Sequence, residues 1–228
     1  MPLLSLRDVH HTYSGPGPTV AALRGITLDI EAGEFVAVVG PSGSGKTTLL
    51  NIIGTLEKPS RGRFLFDGLD VAETADKSLA DLRARRIGFV FQNFNLIDSL
   101  TVYENIRLGL RYRRGDRKGQ RERVYAAMDR VGIGHRADHL PRQLSGGQQQ
   151  RCAIARAIVG DPSVVLADEP TGNLDSANAA QIINILQELN AGGTTLVVVT
   201  HAPRQADQAS RILEMHDGRI RISSRRFS

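Results

Sequence analysis

The chain of 228 residues alternates between stretches with the period of a strand and stretches with the period of a helix. The continuous apolar run Phe35–Val39 is typical of a strand buried on both faces of a sheet, and Val164–Ala167 and Thr195–Val199 are predicted to be buried strands as well. The segments Leu3–Tyr13 and Ala22–Glu31 alternate and are rich in residues that favour strands. Strands of this kind, separated by helical segments, predict an α/β fold.

Helical periodicity dominates the middle of the chain, from about residue 93 to residue 160. The predicted helices are Gly45–Gly54, Val102–Leu110, Arg121–Val131, Gln148–Val159 and Ser176–Ala191. The remaining predicted strands are Arg63–Phe66, Ile87–Gln92, Arg211–Met215 and Arg219–Ile222, with a hairpin turn at Asp217-Gly218. We therefore expect a core from residues 1–92 and 161–228, with residues 93–160 forming an inserted helical subdomain.

Composition narrows the classes of protein. Apolar residues make up 41% of the chain, enough for a packed core, while Trp is absent and aromatic residues make up 5%. The net charge of +5 is compatible with nucleic acid, anionic lipid or a polyanionic small ligand, but few aromatic residues are available to stack on bases, so we expect no nucleic-acid partner. No run approaches the ~18 apolar residues of a membrane span, and the N-terminus lacks a signal-peptide pattern. The single Cys152 excludes an internal disulfide and fits a reducing compartment.

A glycine-rich segment follows the first buried strand and precedes a predicted helix. It consists of Gly40, Pro41, Ser42, Gly43, Ser44, Gly45, Lys46, Thr47 and Thr48, which match the pattern G-x-x-x-x-G-K-[ST]. Glycines let backbone N–H groups turn towards phosphate oxygens, and the helix N-terminus adds partial positive charge. Lys46 can reach the β- and γ-phosphates and Thr47 can ligate Mg²⁺. The alternative is a Gly/Ser-rich turn that carries a lysine by chance.

A second buried strand ends in two carboxylates, Asp168 and Glu169. Asp168, at the carboxyl end of the strand, suits Mg²⁺ binding, either directly or through a water. Glu169 suits a general base that polarises an attacking water. The alternative is a strand capped by solvated acids, but a Glu directly after the Asp favours ATP hydrolysis.

The segment Leu144–Arg151, Leu-Ser-Gly-Gly-Gln-Gln-Gln-Arg, resembles the signature motif of ABC ATPases. Other marks of that family occur in the family's order: Tyr13 matches the aromatic residue that stacks on adenine, Gln92 the Q-loop glutamine that contacts Mg²⁺ and the attacking water, Asn173–Asp175 the D-loop and His201 the switch histidine. The resemblance covers essentially the whole chain. It implies a P-loop NTPase ABC ATPase core with a mixed β-sheet, an antiparallel β portion and an inserted helical subdomain.

The resemblance also assigns the signature a partner. The residues Ser145, Gly146, Gly147 and Gln148 open a predicted helix, so their N–H groups and the helix dipole can form a second anion site. In the family, this site binds the ATP of a second copy, which gives a head-to-tail homodimer with two ATP molecules between the chains. Considered alone, the segment is equally consistent with a polar loop and helix cap. Considered alone, Tyr13, Gln92 and His201 also permit ordinary structural roles.

Four stretches resemble the lipoprotein-release and macrolide-export (LolD/MacB-like) branch: Ala22–Leu28, Gly54–Pro59, Asn93–Leu96 and Ala167–Ser176. Members of that branch work with a permease in the cytoplasmic membrane. We therefore expect a cytoplasmic ATPase subunit, peripheral on the inner face of that membrane. Glu57 and Arg61 stand where the family commonly has Asp and Ser, and Ala202 where it usually has Asp, and none of these is expected to touch the chemistry. The rivals are a non-transport ABC ATPase of DNA repair or ribosome function and a regulatory module without turnover.

A cluster of apolar side chains surrounds Gln92 in the sequence. Its members are Phe89, Phe91, Phe94, Leu96 and Leu100. They permit two interpretations: a subdomain core, or a groove that receives a short helix of the permease.

Overall fold

A computed structural model of the chain describes residues 1–14, 18–113, 118–202 and 206–225. The chain forms two compact units, here called the first unit (Met1–Leu79 with Thr195–Ser228) and the second unit (Ala80–Thr194). The strands are β1 Leu4–Tyr13, β2 Val20–Ile30, β3 Phe35–Val39, β4 Arg61–Phe66, β5 Leu69–Asp70, β6 Ile87–Val90, β7 Val164–Asp168, β8 Thr195–Val199, β9 Arg211–His216 and β10 Arg219–Arg225. The α-helices are α1 Lys46–Ile53, α2 Asp76–Arg86, α3 Val102–Arg107, α4 Gln120–Arg130, α5 Gly146–Ile158 and α6 Ser176–Ala191. Short 3₁₀ turns occupy Leu108–Leu110, Gly134–Arg136 and Pro141–Gln143.

The first unit contains an antiparallel sheet in the order β2-β1-β4-β5. It also contains a group of strands in which β3 lies between β8 and β9 and is parallel to both, while β10 pairs with β9 as a hairpin. Every residue of β8 and the first four residues of β3 are buried, as their largely apolar sequences predict. Because β3 and β8 are parallel neighbours, their carboxyl ends lie at the same edge, where sites in α/β sheets form.

The second unit contains the parallel pair β6 and β7, in the register Ile87↔Val164 to Val90↔Ala167. Helix α5 packs directly over β6, since a Cβ placed on Gly88 would lie 2.5 Å from the carbonyl oxygen of Ala157. Gly88 is therefore a residue that the close approach of the helix requires.

The structure confirms the predicted α/β fold with an antiparallel portion, and the bounds of β3, α6 and β8 agree with the prediction. Strand β6 ends at Val90, two residues earlier than predicted, because the chain turns immediately afterwards. Helix α2 was not predicted, because it is highly charged and buries only Leu79, so it shows no apolar face in the sequence. The three-part division into residues 1–92, 93–160 and 161–228 stays a prediction.

One buried side chain organises the loop before α3. Asn105 is fully buried; its amide group donates to the carbonyl oxygens of Ile97 (3.1 Å), Leu100 (2.9 Å) and Thr101 (3.0 Å). Its oxygen accepts from the backbone N–H of Ile97 at 2.8 Å. The buried amide of Asn105 thus supplies hydrogen bonds to backbone groups of an irregular loop, which lack the regular hydrogen bonds of a helix or sheet.

Replacing Asn105 by Ala should destabilise the protein by about 2–3 kcal/mol, because the four hydrogen bonds between its amide and the backbone are lost at once. Urea unfolding followed by circular dichroism measures this change. The control is Asn184→Ala, on the exposed face of α6, which should change the free energy of unfolding by less than about 0.5 kcal/mol. An Asn105→Ala protein as stable as the control would contradict the assignment.

Candidate functional site

The segment from Gly40 to Lys46 forms a tight loop between β3 and α1, in which Gly40, Gly43 and Gly45 have φ values of 150°, 76° and 100°. A Cβ on Gly40 would lie 2.2 Å from the carbonyl oxygen of Met215, and a Cβ on Gly45 would lie 2.5 Å from that of Ala22. Both glycines are therefore required by the backbone angle and by the close approach of neighbouring strands. The predicted phosphate loop is thus a tight turn that needs glycine at these positions.

Lys46 is the first residue of α1, and its side chain turns back into the loop. Its Nζ donates to the carbonyl oxygens of Gly40 (2.9 Å) and Pro41 (2.8 Å), and the residue is only 9% exposed. Among the described residues, the buried hydroxyl of Ser44 has no hydrogen-bond partner. Thr47 is exposed in the first turn of the helix. An ammonium group, an orphaned hydroxyl and a helix N-terminus in one loop fit an anionic ligand such as a phosphate chain.

A cavity of about 470 Å³ extends from this loop to Tyr13. The other lining residues are Val20, Ala21, Ala22, Arg24, Gly43, Gly45, Lys46, Thr47, Thr48, Asp217 and Gly218. The ring of Tyr13 is 43% exposed, so one part of it is available to a ligand. The structure thus brings the predicted adenine platform and the phosphate loop to a single cavity.

The turn Asp217-Gly218 was predicted from sequence, but its position beside the phosphate loop was not. The backbone N–H of Gly218 donates to the carbonyl oxygen of Ser44 at 3.0 Å, and Gly218 accepts from the N–H of Arg24 at 2.8 Å. Contacts so distant along the chain arise from the pairing of β9 with β3, and no local sequence pattern reports them.

His201 lies two residues beyond β8 and is exposed. The backbone N–H of Thr200 donates to the carbonyl oxygen of Val38 at 3.1 Å, which fixes the exit of β8 against the exit of β3. His201 and the phosphate loop therefore follow the carboxyl ends of adjacent parallel strands. The strand-end position of His201 agrees with the sequence analysis, and its contact with a γ-phosphate stays a prediction.

In the second unit, Gln92 and Glu169 follow the carboxyl ends of the paired strands β6 and β7. A Cβ on Gly172 would lie 2.8 Å from Nε2 of Gln92 and 3.3 Å from Oε2 of Glu169, so the two side chains meet at this glycine. Glu169 has a φ of 45°, a left-handed angle that is strained for a side-chain-bearing residue. Asp168 is the last residue of β7, and both carboxylates are half-buried.

Asn173 binds the glutamine loop, the turn after β6 that contains Gln92 and Asn93. Its Nδ2 donates to the carbonyl oxygen of Gln92 and to Oδ1 of Asn93, both at 3.1 Å, and its Oδ1 accepts from Nε2 of Gln92 at 3.3 Å. Asp175 caps α6 by accepting from the N–H of Asn178 at 2.8 Å, and this bond lowers the pKa of its carboxyl group. The predicted D-loop is therefore a structural link between Gln92 and α6, which sequence order alone did not reveal.

Helix α5 begins at Gly146, two residues earlier than predicted, because Ser145 caps it. The Ser145 Oγ accepts from the N–H of Gln148 at 3.3 Å, and the Gln148 Oε1 accepts from the N–H of Ser145 at 3.0 Å. A Cβ on Gly147 would lie 2.2 Å from Oδ1 of Asn178, so this glycine permits close packing against α6. The predicted signature residues thus form an ordered helix N-terminus, with Ser145 exposed.

The described ranges contain no group of three or more His, Cys, Asp or Glu side chains that could hold a metal ion. The predicted Mg²⁺ ligands are Thr47 in the first unit and Gln92 and Asp168 in the second. Their hydroxyl, amide and carboxylate oxygens are donor types that Mg²⁺ prefers, and their role as ligands stays a prediction. None of the helices described is both long and apolar enough to cross a membrane.

Comparison with known proteins agrees with this geometry. The sequence profile described as ABC transporter matches residues 23–172. A macrolide export ATP-binding/permease protein, MacB, of Syntrophobacter fumaroxidans is 48% identical over 98% of this chain, but the chain spans only 32% of that relative. An uncharacterized ABC transporter ATP-binding protein of Thermotoga maritima is 45% identical, with 98% of this chain and 96% of the relative covered.

A solved dimeric ATP-binding cassette, bound to ADP and phosphate in a post-hydrolysis state, superposes with a TM-score of 0.89. It is 42% identical, and the match covers 97% of this chain and 98% of that one. The fold predicted from the sequence, a P-loop NTPase core of the ABC type, is therefore confirmed. The chain belongs to the ABC transporter family, and it is an ATPase cassette of that family.

Proposed function

We propose that this chain is the ATP-binding and ATP-hydrolysing subunit that powers a membrane permease. The observation that carries the proposal is the meeting of the Gln92 and Glu169 side chains at Gly172, because it sets a carboxylate and an amide together after two parallel strands. Such a pair can orient and deprotonate a water molecule. A binding module without turnover would not need this pair.

In the proposed mechanism, the phosphate loop and Lys46 bind the β- and γ-phosphates, and the dipole of α1 stabilises their charge. Thr47, Gln92 and Asp168 would hold Mg²⁺, which when bound neutralises charge on the phosphate oxygens. Glu169 accepts a proton from the attacking water, while His201 donates a hydrogen bond to the γ-phosphate.

Two anion sites on one chain support a homodimer. The phosphate loop binds the chain's own ATP, whereas the capped N-terminus of α5, with Ser145, Gly146, Gly147 and Gln148, has no second phosphate group to bind within the same chain. The proposed complex is a head-to-tail dimer in which each α5 completes the ATP site of the other copy. The dimeric state of the similar solved cassette supports this proposal.

A groove in the second unit supports a permease partner. Phe89 and Phe91 are half-buried, stack with ring centroids 5.8 Å apart, and line a cavity of about 350 Å³ together with Leu108 and Tyr112. Half-exposed aromatic rings beside a cavity favour the groove interpretation of the apolar cluster, with a short helix of the permease as the occupant. The cassette would then lie on the cytoplasmic face of the inner membrane.

The MacB relatives are described as macrolide export ATP-binding/permease proteins, which supports export as the work performed. Lipoprotein release is the other activity of the branch that the sequence resembles. The non-transport alternative is not favoured, since the relatives reported above are described as transporter proteins.

Glu169→Gln should lower steady-state ATP hydrolysis at least about 100-fold, because the amide cannot accept the proton of the attacking water. ATP binding, measured by calorimetry, should persist. The control is Glu188→Gln, on the exposed face of α6, which should keep wild-type turnover. Undiminished turnover in Glu169→Gln would contradict the proposed role of Glu169 as the general base.

Tyr13→Ala should weaken ADP binding by about 5-fold to 100-fold, the range of a lost base–aromatic stack. Tyr13→Phe, which keeps the ring but not the hydroxyl, should lose less than Tyr13→Ala. Isothermal calorimetry measures both. If the Ala variant binds ADP as tightly as the wild type, then Tyr13 is an ordinary strand residue and not the adenine platform.

A further inference from the structure

Glu57, which the sequence suggested to be outside the chemistry, lies at the centre of a side-chain cluster next to the nucleotide cavity. Its Oε2 accepts from the hydroxyl of Tyr13 at 2.8 Å and lies 2.9 Å from Nε2 of His11. Its Oε1 accepts from Nδ2 of Asn51 at 3.0 Å. The Tyr13 hydroxyl also lies 3.3 Å from Oγ1 of Thr48. We call these five residues, His11, Tyr13, Thr48, Asn51 and Glu57, the Glu57 cluster.

The carboxylate of Glu57 is fixed to the helix that carries the phosphate loop. The carbonyl oxygen of Asn51, in the last turns of α1, accepts from the N–H groups of Leu56 (2.9 Å) and Glu57 (3.3 Å). Thr55 has a left-handed φ of 54°, which turns the chain back towards the helix. The Glu57 side chain is only 28% exposed. The cluster therefore joins the end of β1, where Tyr13 lies, to α1.

His11 completes the cluster as a cation. Its Nδ1 lies 3.1 Å from the carbonyl oxygen of Lys58, and its Nε2 lies 2.9 Å from the carboxylate of Glu57. Both partners only accept hydrogen bonds, so both contacts are satisfied only when each ring nitrogen carries a proton. The ring is 12% exposed and stands edge-on to Tyr13, with centroids 4.7 Å apart. A protonated His11 thus supports both Glu57 and the Tyr13 ring.

The other charged groups on neighbouring segments are directed to other partners. These contacts are Lys58 Nζ to the carbonyl of Thr74 and to Asp76, Arg61 to Asp8, His10 to Asp8, and Arg24 to the carbonyl of Ala21. Partial burial, together with the contact to Glu57, raises the pKa of the Tyr13 phenol, so the hydroxyl keeps its proton and donates. The charges that act within the cluster are therefore those of Glu57 and His11.

We propose that Glu57 is a positioning residue for nucleotide binding, which holds the Tyr13 ring at the wall of the cavity through the tyrosine hydroxyl, with protonated His11 as its support. This inference rests on the proposed role of Tyr13 as the adenine platform. A ring fixed before the ligand arrives loses less conformational freedom on binding. Glu57 then contributes to affinity for the nucleoside part of the ligand without touching the ligand.

The test compares two ligands that share a diphosphate, ADP and inorganic pyrophosphate, in wild-type protein, Glu57→Ala, Tyr13→Phe and the double variant. Each single variant should weaken ADP binding about threefold to tenfold, because each removes the same restraint on the ring. The double variant should bind ADP no less tightly than the single variant with the lower affinity, since the two changes remove the same interaction. Pyrophosphate affinity should stay within about twofold of wild type throughout, because pyrophosphate lacks a base to stack on Tyr13.

Rescue by a conservative variant provides a readout that a purely structural role would not move. Glu57→Gln keeps the size of the side chain and an oxygen that can accept from the Tyr13 hydroxyl. It should therefore lose less ADP affinity than Glu57→Ala, and it serves as the test variant if Glu57→Ala folds poorly.

Different outcomes separate the inference from the proposed function. Equal weakening of ADP and pyrophosphate by Glu57→Ala, unchanged ADP affinity, or multiplicative losses in the double variant would each overturn the positioning role. If wild-type protein binds ADP no more tightly than pyrophosphate, the adenine platform itself is wrong and the inference fails with it. If ADP binds more tightly than pyrophosphate and this difference depends on Tyr13 but not on Glu57, the adenine platform stands and only the positioning role of Glu57 is wrong.

Discussion

The sharp turn from β3 into α1 is the constraint on which the first unit's site depends. Gly40 and Gly45 lie so close to the backbones of β9 and β2 that neither position has room for a side chain. This packing makes the loop turn around the ammonium group of Lys46, which lies at the N-terminus of α1. In the proposed function, the backbone of the loop therefore binds phosphate, and the side chains of the cavity contact the rest of the nucleotide.

In the second unit, backbone geometry also positions the side chains that we propose for the chemistry. Parallel pairing of β6 with β7 sets Gln92 and Glu169 after neighbouring strand ends, and Asn173 holds the glutamine loop from the other side. Glu169 keeps a strained left-handed angle, the kind of strain that persists where the surrounding structure enforces it. The capping box at Ser145 orders the N-terminus of α5. In the proposed function, this helix N-terminus binds the ATP of a second copy.

The phosphate loop, the acidic strand end and the signature helix were predictable because each is a local pattern whose geometry follows from its own residues. Helix α5 begins at Gly146 and not at the predicted Gln148, because side-chain hydrogen bonds of the capping box set its start and hydrophobic periodicity does not report them. Contacts between distant segments were not predictable. The approach of Gly218 to Ser44, the link from Asn173 to Gln92 and the reach of Glu57 to Tyr13 all depend on strand pairing and on chain turns.

The claim that ATP joins two copies through Lys46 of one and α5 of the other is tested most directly by the mass of the ATP-bound species. In a Glu169→Gln background, light scattering with nucleotide quantification should find a dimer that carries two ATP molecules. Adding Gly146→Asp places a carboxylate at the N-terminus of α5, which suits the helix but repels phosphate. That variant should bind ATP and remain a monomer. A dimer of unchanged mass and affinity would contradict the account.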